Sequence, residues 1–412
     1  MKIVHVYDGH ERVFPGEGST PSIVYYLAKY TAKKGYDVTV LERRWKGLDY
    51  EEEIKGVKFI RFDIGICSNI SNKELPHDAI RNPLKSSKFI LDRYVFALKA
   101  NKYLKENDFD VIHIHLPFAS NILINLDKEL RNRMVYTAHV GEERKRFALD
   151  SSAPFLLRIF SPDLYLMKRI KKTVILNEPL RDKLISKGID RSKIEVIPNG
   201  IEVKDFNTSK REINKIKEKY GLTEKIIVMF AGSITPRKGV HHLVRAAEKI
   251  LKNNKYKDVI FLLVGEMTPD KEFAMKVVDY VRTNSLEKNI KFTGFIPYED
   301  LKALYSACDI FVLPSFEEGD PIALKEALAS GKPLVGTNVG GIPMQIIDGW
   351  NGFLVEPGNE NRLAEKIKYL IDDKEERERM GKNSRKLAEK KFDWEKITEE
   401  YLRVYEEIEM RK

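Results

Sequence analysis

Short runs rich in Val, Ile and aromatic residues alternate with longer helical stretches along this chain, and the alternation starts twice. In the first half the strand-like runs are 2–7, 37–42, 57–62, 111–116, 134–139, 173–177 and 194–199. Helical stretches such as Ile23–Lys34 and Phe89–Glu106 lie between them. Residues 205–223 are polar and helical in pattern. The rhythm then resumes with 225–231, 259–264, 290–293, 310–313, 333–336 and 352–355. A strand followed by a helix, many times over, requires parallel sheets covered by helices. The spacing predicts two α/β domains, 1–203 and 204–385. A charged helical segment, 386–412, follows them and is free to pack on either one. In open sheets of this kind, ligands bind beyond the carboxyl ends of the strands. Two such domains facing each other would form a cleft there.

A chain of 412 residues has ample material for two cores. No apolar run is long enough to span a bilayer, and the N-terminus lacks an apolar signal core, so the expected location is the cytoplasm. Cys67 and Cys308 are the only cysteines, which excludes a disulfide framework and a cysteine metal site. Gln345 is the only glutamine while Lys and Glu abound, a balance expected of a protein from a hot source. The net charge of +10 is concentrated. Residues 144–172 carry eight Lys and Arg against only Asp150 and Asp163. The basic groups of this stretch alternate with large apolar residues, as in Phe155-Leu156-Leu157-Arg158-Ile159-Phe160. That composition suits peripheral contact with an anionic membrane, and equally a core helix with a solvated basic face. No zinc finger, RNP signature or interleaved aromatic–basic run points to nucleic acid.

Four places carry candidate chemistry. After the first strand, Gly16-Glu17-Gly18-Ser19 leads into a helix from about Pro21, where backbone N–H groups can meet an anion. The dinucleotide pattern G-x-G-x-x-G fails there, because its third glycine would be Pro21. His113 and His115, two apart on one strand, share a face, and His139 ends the next strand. A metal pair lacks a visible third ligand, so a strand end beside a ligand site is the better reading. Gly232-Ser233-Ile234-Thr235-Pro236-Arg237-Lys238-Gly239 connects the first strand of the second domain to a helix from about Val240, which sets the Lys238 cation for a phosphate. Finally, Glu318-Gly319-Asp320-Pro321-Ile322-Ala323-Leu324-Lys325-Glu326 follows the apolar run Ile310–Leu313. It puts Glu318 in a loop and Glu326 one turn into the next helix. Two carboxylates so placed can accept hydrogen bonds from two sets of hydroxyls, with helix N–H groups between them for a diphosphate. Asp320 adds a negative charge against that trend.

The chain resembles retaining glycosyltransferases of the GT-B fold, family 4, over nearly its whole length. The Glu318-x7-Glu326 pair is the most specific mark. Ala327–Val335, Val339-Gly340-Gly341-Ile342-Pro343, Ile197-Pro198-Asn199-Gly200-Ile201, Lys238-Gly239 and Asn351–Val355 fit in order and spacing. The resemblance implies two Rossmann-like doubly wound domains facing across a cleft, with the last helix crossing back to the first domain. It implies transfer of a hexose from a nucleotide-diphosphate sugar to a glycan or lipid-linked acceptor, with no metal and no resident cofactor. In that reading Glu318 meets hydroxyls of the sugar, and the backbone of Gly319, Asp320, Pro321, Ile322 and Ala323 holds sugar and diphosphate. Glu326 takes the ribose, Ile296 meets the base through its backbone, and Lys238 faces the leaving diphosphate. Gly232 and Ser233 line the donor, His139 lies near the reacting carbon, and Gly18, Ser19 and His115 lie on the acceptor side.

Three residues depart from the family pattern. Ser233 stands where a second phosphate cation is usual, so either Arg237 substitutes or the site uses one cation fewer. Ser19 replaces the second of paired glycines, and Asp320 a commonly apolar position. Three other readings stay open on the sequence. One is a nucleotide-cofactor oxidoreductase using Glu42 as its ribose acid. The others are a GT-B nucleotide-sugar epimerase and a catalytically weak nucleotide-sugar-binding protein.

Overall fold

The computed structural model describes residues 1–64, 83–139 and 162–410. The chain divides into two compact units, Met1–Gly200 with Trp394–Lys412, and Ile201–Asp393. The crossing back to the first unit falls at Trp394. The helix Lys374–Leu387 and the wider π turn Ala388–Phe392 before it belong to the second unit. Gly200 marks the crossing in the first unit, since a Cβ there would lie 2.3 Å from the Trp394 ring.

The first unit carries an eight-stranded sheet in the order β3-β4-β2-β1-β5-β6-β7-β8. Its strands are β1 (Lys2–Val6), β2 (Asp37–Arg43), β3 (Glu51–Ile54), β4 (Val57–Phe62), β5 (Val111–Ile114), β6 (Met134–Thr137), β7 (Lys172–Ile175) and β8 (Ile194–Val196). All neighbours are parallel except the β3–β4 hairpin at the edge. β3 was not expected: Glu51-Glu52-Glu53-Ile54 has the charge of an exposed edge, where charged side chains are the rule. Its Lys55-Gly56 turn, with φ of 54° and 78°, is the mirror-image geometry that suits a tight hairpin. Val4, Val6, Ile112, Ile114, Met134 and Tyr136 pack one face of the central strands in one cluster. The alternate residues Ile3, Val111, Val135 and Val174 pack with Trp394, Ile397, Tyr401 and Tyr405 of the C-terminal helix Trp394–Glu409. This period-two division puts the last helix over one face of the sheet.

The second unit holds a wholly parallel sheet in the order β11-β10-β9-β12-β13-β14. The strands are β9 (Ile226–Ala231), β10 (Val259–Val264), β11 (Ile290–Gly294), β12 (Ile310–Leu313), β13 (Leu334–Thr337) and β14 (Gly352–Val355). β9, β10, β12 and β13 are nearly continuous apolar runs and are buried, as a sheet covered on both faces demands, whereas the edge strand β11 is mostly half-buried. The polar stretch after residue 205 forms the helix Lys210–Lys219. It opens with a capping box in which Ser209 and Glu212 satisfy each other's backbone N–H groups.

The order of strands reverses at β1/β5 in the first unit and at β9/β12 in the second. Loops leaving these pairs diverge to opposite sides and open a crevice beyond the carboxyl ends. Candidate residues cluster at both points. Among the described residues no helix is long and apolar enough to cross a membrane.

Candidate functional site

In the second unit, β9 runs into Gly232, Ser233 and a 3-10 turn Pro236–Lys238 before the helix Val240–Leu251. β12 runs into Pro314 to Pro321 and then the helix Ile322–Ala329. Close backbone approach stitches the two loops together. The Phe316 N–H donates to the Arg237 carbonyl at 2.8 Å. Gly239 sits at φ +66°, and a Cβ there would lie 2.0 Å from the Pro314 carbonyl oxygen, so only glycine fits.

Glu318 is the centre of this junction and is buried, with 6% of its surface exposed. Its Oε1 accepts from the Lys238 ammonium at 2.5 Å and from the Ser315 hydroxyl at 2.8 Å. The Arg237 Nη1 stands 3.8 Å from Oε2 and donates to the Glu317 carbonyl at 2.8 Å. Two cations thus converge on one carboxylate at the switch point. Ser233, the residue lacking the expected charge, lies in the same loop and is half-buried. Behind Glu318 the Gly340-Gly341 pair closes the loop. A Cβ on Gly340, at φ +51°, would lie 1.7 Å from the Glu318 carbonyl oxygen, and the Gly341 N–H donates to that oxygen at 3.2 Å.

Glu326 falls within the helix Ile322–Ala329, whose first turn carries no side-chain cap. Burial pushes its carboxyl up to about 7, partly offset by tyrosine hydroxyls. One of these, Tyr298, donates to Oε1 at 3.2 Å. Tyr298 opens the helix after β11, next to Ile296, so base-side and ribose-side candidates share one edge of the unit. A carboxyl group poised near neutrality accepts hydroxyl donors best once ionised.

The extra negative charge expected at Asp320 is compensated. Its carboxylate is 2% exposed and turns inward onto the Lys325 ammonium, which is fully buried. The Gln345 amide donates to the same oxygen at 2.7 Å. Lys325 also lies over the Phe392 ring at 5.2 Å. This arrangement places the Asp320 backbone beside Gly319 while its charge is spent inside the unit. Sequence reasoning missed Lys325 and Gln345. The five-residue separation of Asp320 and Lys325 across a helix start was the available signal.

In the first unit, Gly18 and Ser19 are exposed and open the helix Ser19–Lys33, two residues earlier than expected. His115 and His139 fall just past the ends of β5 and β6. His5 of β1 stands level with His113 of β5 and joins them. His5 Nδ1 lies 2.9 Å from His115 Nε2, and His115 Nδ1 lies 2.9 Å from His139 Nε2. His113 uses both nitrogens elsewhere, with the Tyr405 hydroxyl at 2.6 Å and the Thr137 hydroxyl at 2.7 Å. Burial lowers all four imidazoles, His5 and His139 to about 3. They are neutral at physiological pH.

The third imidazole that the sequence did not reveal is therefore present: His5, His113 and His115 offer nitrogens within 4.8 Å of one another. Their hydrogen bonds argue for links rather than ligands. Two nitrogens on one tetrahedral ion would stand roughly 3.4 Å apart, and both His113 nitrogens are already engaged.

Glu42, the ribose acid of the oxidoreductase reading, is fully committed to structure. It accepts from the Val13 N–H at 2.8 Å and from Arg61 Nε at 2.8 Å, and its side chain is 1% exposed. That reading is set aside. Most of the basic stretch 144–172 lies outside the described residues, which resume at 162 with the short helix Pro162–Met167.

Comparison with known proteins agrees with this anatomy. Residues 212–387 match the family model described as Glycosyl transferases group 1, and residues 22–205 match Glycosyltransferase Family 4. An uncharacterized glycosyltransferase of Methanocaldococcus jannaschii, MJ1178, is 30% identical over 88% of this chain and 94% of its own length. The capsular polysaccharide biosynthesis glycosyltransferase CapM of Staphylococcus aureus is 28% identical over 74% of this chain and 87% of its own. Among solved structures, sucrose-phosphate synthase from Thermosynechococcus elongatus superposes with a TM-score of 0.79 at 20% identity, covering 100% of both chains. Anabaena Alr3699/HepE in complex with UDP gives 0.74 at 20% identity over 99% of this chain and 100% of its own. These relatives lend no support to an epimerase. With a parallel-sheet unit matching each family model and a relative at 30% identity along most of its length, the chain belongs to the GT-B glycosyltransferases.

Proposed function

We propose that the chain is a retaining, metal-independent hexosyltransferase. It takes its sugar from a nucleotide-diphosphate donor and delivers it to a hydroxyl of a glycan or lipid-linked acceptor. The observation that carries this reading is the junction at β9/β12. A buried carboxylate, Glu318, is flanked by Lys238 and Arg237, and Glu326 lies one turn into the adjoining helix. The Anabaena relative, solved with UDP, with UDP and glucose and with UDP-glucose, supports the donor class. CapM supports a glycan product.

On this reading, sugar hydroxyls donate to Glu318 and displace its cations, and Lys238 and Arg237 turn to the diphosphate. Arg237 is the second phosphate cation that Ser233 cannot be. The helix start at Ile322 adds its N–H groups, and Glu326 receives the ribose hydroxyls. These charges and dipoles are fixed before the glycosidic bond breaks, so they stabilise the departing diphosphate with little reorganisation. The acceptor hydroxyl attacks from the face the diphosphate leaves, a phosphate oxygen takes its proton, and the anomeric configuration is kept. Glu318 serves as a hydroxyl acceptor rather than as a nucleophile, its carboxylate being engaged by the Ser315 hydroxyl and by the sugar's own hydroxyls. A lipid-linked acceptor would bring the basic stretch 144–172 to an anionic membrane surface.

Slow hydrolysis of the donor, followed by proton NMR, tests the stereochemistry. The first sugar released should have the donor's anomeric configuration, with an unchanged rate in EDTA. Release of the opposite anomer, or loss of activity in EDTA, would overturn the mechanism.

A further inference from the structure

The second unit buries three carboxylates beside its switch point, and two of them hold cations. Glu318 pairs with Lys238, and Asp320 with Lys325. Glu326 is 7% exposed, and among the described residues no cation pairs with it. A buried carboxyl group without a counter-ion has to be met by neutral donors. The groups that face it are two phenols, Tyr298 and Tyr305.

These tyrosines differ in freedom. Tyr305 is 0% exposed and packs against the Phe206 and Phe311 rings, with centroids 6.2 Å and 5.3 Å away. Tyr298 is 49% exposed and is the first residue of the helix Tyr298–Ala307. It reaches across to the helix Ile322–Ala329 and donates its hydroxyl to Glu326 Oε1 at 3.2 Å. That is long beside the roughly 2.7–2.8 Å of most O–H···O bonds, so the contact is easily given up. A carboxylate with so little open surface cannot receive ribose hydroxyls until a neighbour moves aside. Tyr305 is locked in the core, and Tyr298 is not.

We propose that Tyr298 is a positioning residue that holds the Glu326 carboxylate while the site is empty and yields its place to a ribose hydroxyl when the nucleotide binds. One phenolic O–H is exchanged for one ribose O–H on the same carboxylate. The nucleotide is therefore held less tightly than an uncovered carboxylate would hold it, which eases release of the nucleotide product. The proposal rests on the assignment of Glu326 to the ribose. Every residue it uses belongs to the second unit.

Titration calorimetry with UDP and 2′-deoxy-UDP, and in parallel with GDP and 2′-deoxy-GDP, tests the exchange. The proteins are wild type, Tyr298→Phe and Glu326→Gln, at about pH 8.5, where a carboxyl group titrating near 7 is ionised. Tyr298→Phe removes only an oxygen from a half-exposed ring. It should bind the ribonucleotide about threefold to tenfold more tightly, the worth of one hydrogen bond no longer surrendered. The deoxynucleotide leaves Tyr298 in place, so its affinity should change by less than about twofold, and the preference for ribose should widen by the same threefold to tenfold. A purely structural role for Tyr298 would move both nucleotides alike. Unchanged or weaker ribonucleotide binding in Tyr298→Phe would overturn the proposal, as would equal tightening for both sugars. Failure of the ribose assignment looks different: Glu326→Gln would then keep the full preference for ribose. Absence of binding of either ribonucleotide to the wild type would sink the donor-site reading, and the exchange with it.

Discussion

Replacing Lys325 by methionine should unfold the second unit far more easily, although the residue lies in a helix and methionine suits helices. The reason is Asp320. Its side chain is 2% exposed, and the Lys325 ammonium, itself 0% exposed, is its charge partner. Burial disfavours the charged ammonium, and the Asp320 carboxylate opposes that effect. Taking away one member of a buried pair leaves an uncompensated charge, at a cost of about 3–5 kcal/mol. For a unit of this size each kcal/mol lowers the midpoint by about 2–4 °C, so the transition should drop by about 6–20 °C. The double variant Asp320→Asn with Lys325→Met removes both charges. It keeps an amide oxygen for Gln345, which donates to Asp320 at 2.7 Å in the native protein. It should recover most of the loss. Calorimetry on the wild type, both single variants and the double variant closes the cycle. A loss below about 1 kcal/mol in Lys325→Met, or a double variant no more stable than the single one, would show that the pair is not buried as described.

Other consequences are open to test. Because Glu326 titrates near 7 and should receive hydroxyl donors when ionised, UDP or GDP should bind more tightly as pH rises through 7, by up to about tenfold per pH unit below that point. Glu326→Gln should bind weakly with that step missing, and an identical pH dependence in both would refute the ribose assignment. The same raised carboxyl stabilises the fold where it is protonated, and that contribution fades as pH climbs from about 4.5 through about 7. Gly340→Ala meets the Glu318 carbonyl oxygen at 1.7 Å in a left-handed conformation, so it should cut donor affinity at least tenfold and lower the thermal midpoint. Native affinity in that variant would show that the Glu318 loop tolerates displacement. Flotation with anionic vesicles should recover the protein at low salt and lose it at high salt, if residues 144–172 meet a membrane. Absence of binding at low salt removes the membrane reading.

The double α/β rhythm was readable because parallel strands buried on both faces must be apolar runs, and β9, β10 and β12 are little else. Lys238, Glu318 and Glu326 were readable because each follows such a run by a short, fixed distance. What stayed hidden depends on partners far apart in sequence. His5 looks like one polar residue in an apolar strand until the β1–β5 register sets it level with His113. Glu42 looks like a free acid at a strand end until Arg61 of β4 arrives beside it. Asp320 looks like a charge facing a ligand until Lys325 turns inward. In each case the residue type was visible, but the burial that decides its role was set by packing. The edge strand β3 was missed for the opposite reason: its exposure lets it be acidic, and it carries no apolar signature.

The most direct test of the central claim is a nucleotide-sugar panel, with UDP-glucose, UDP-N-acetylglucosamine and GDP-mannose each incubated with wild type and with Lys238→Ala. Released nucleotide and sugar are read by mass spectrometry. The wild type should release the nucleotide diphosphate from one donor, and Lys238→Ala should be slower by about 10²–10³-fold, the typical loss for one group that stabilises developing charge. Equal release by both proteins, or neither binding nor release of any donor by the wild type, would contradict a donor site built on Lys238, Glu318 and Glu326.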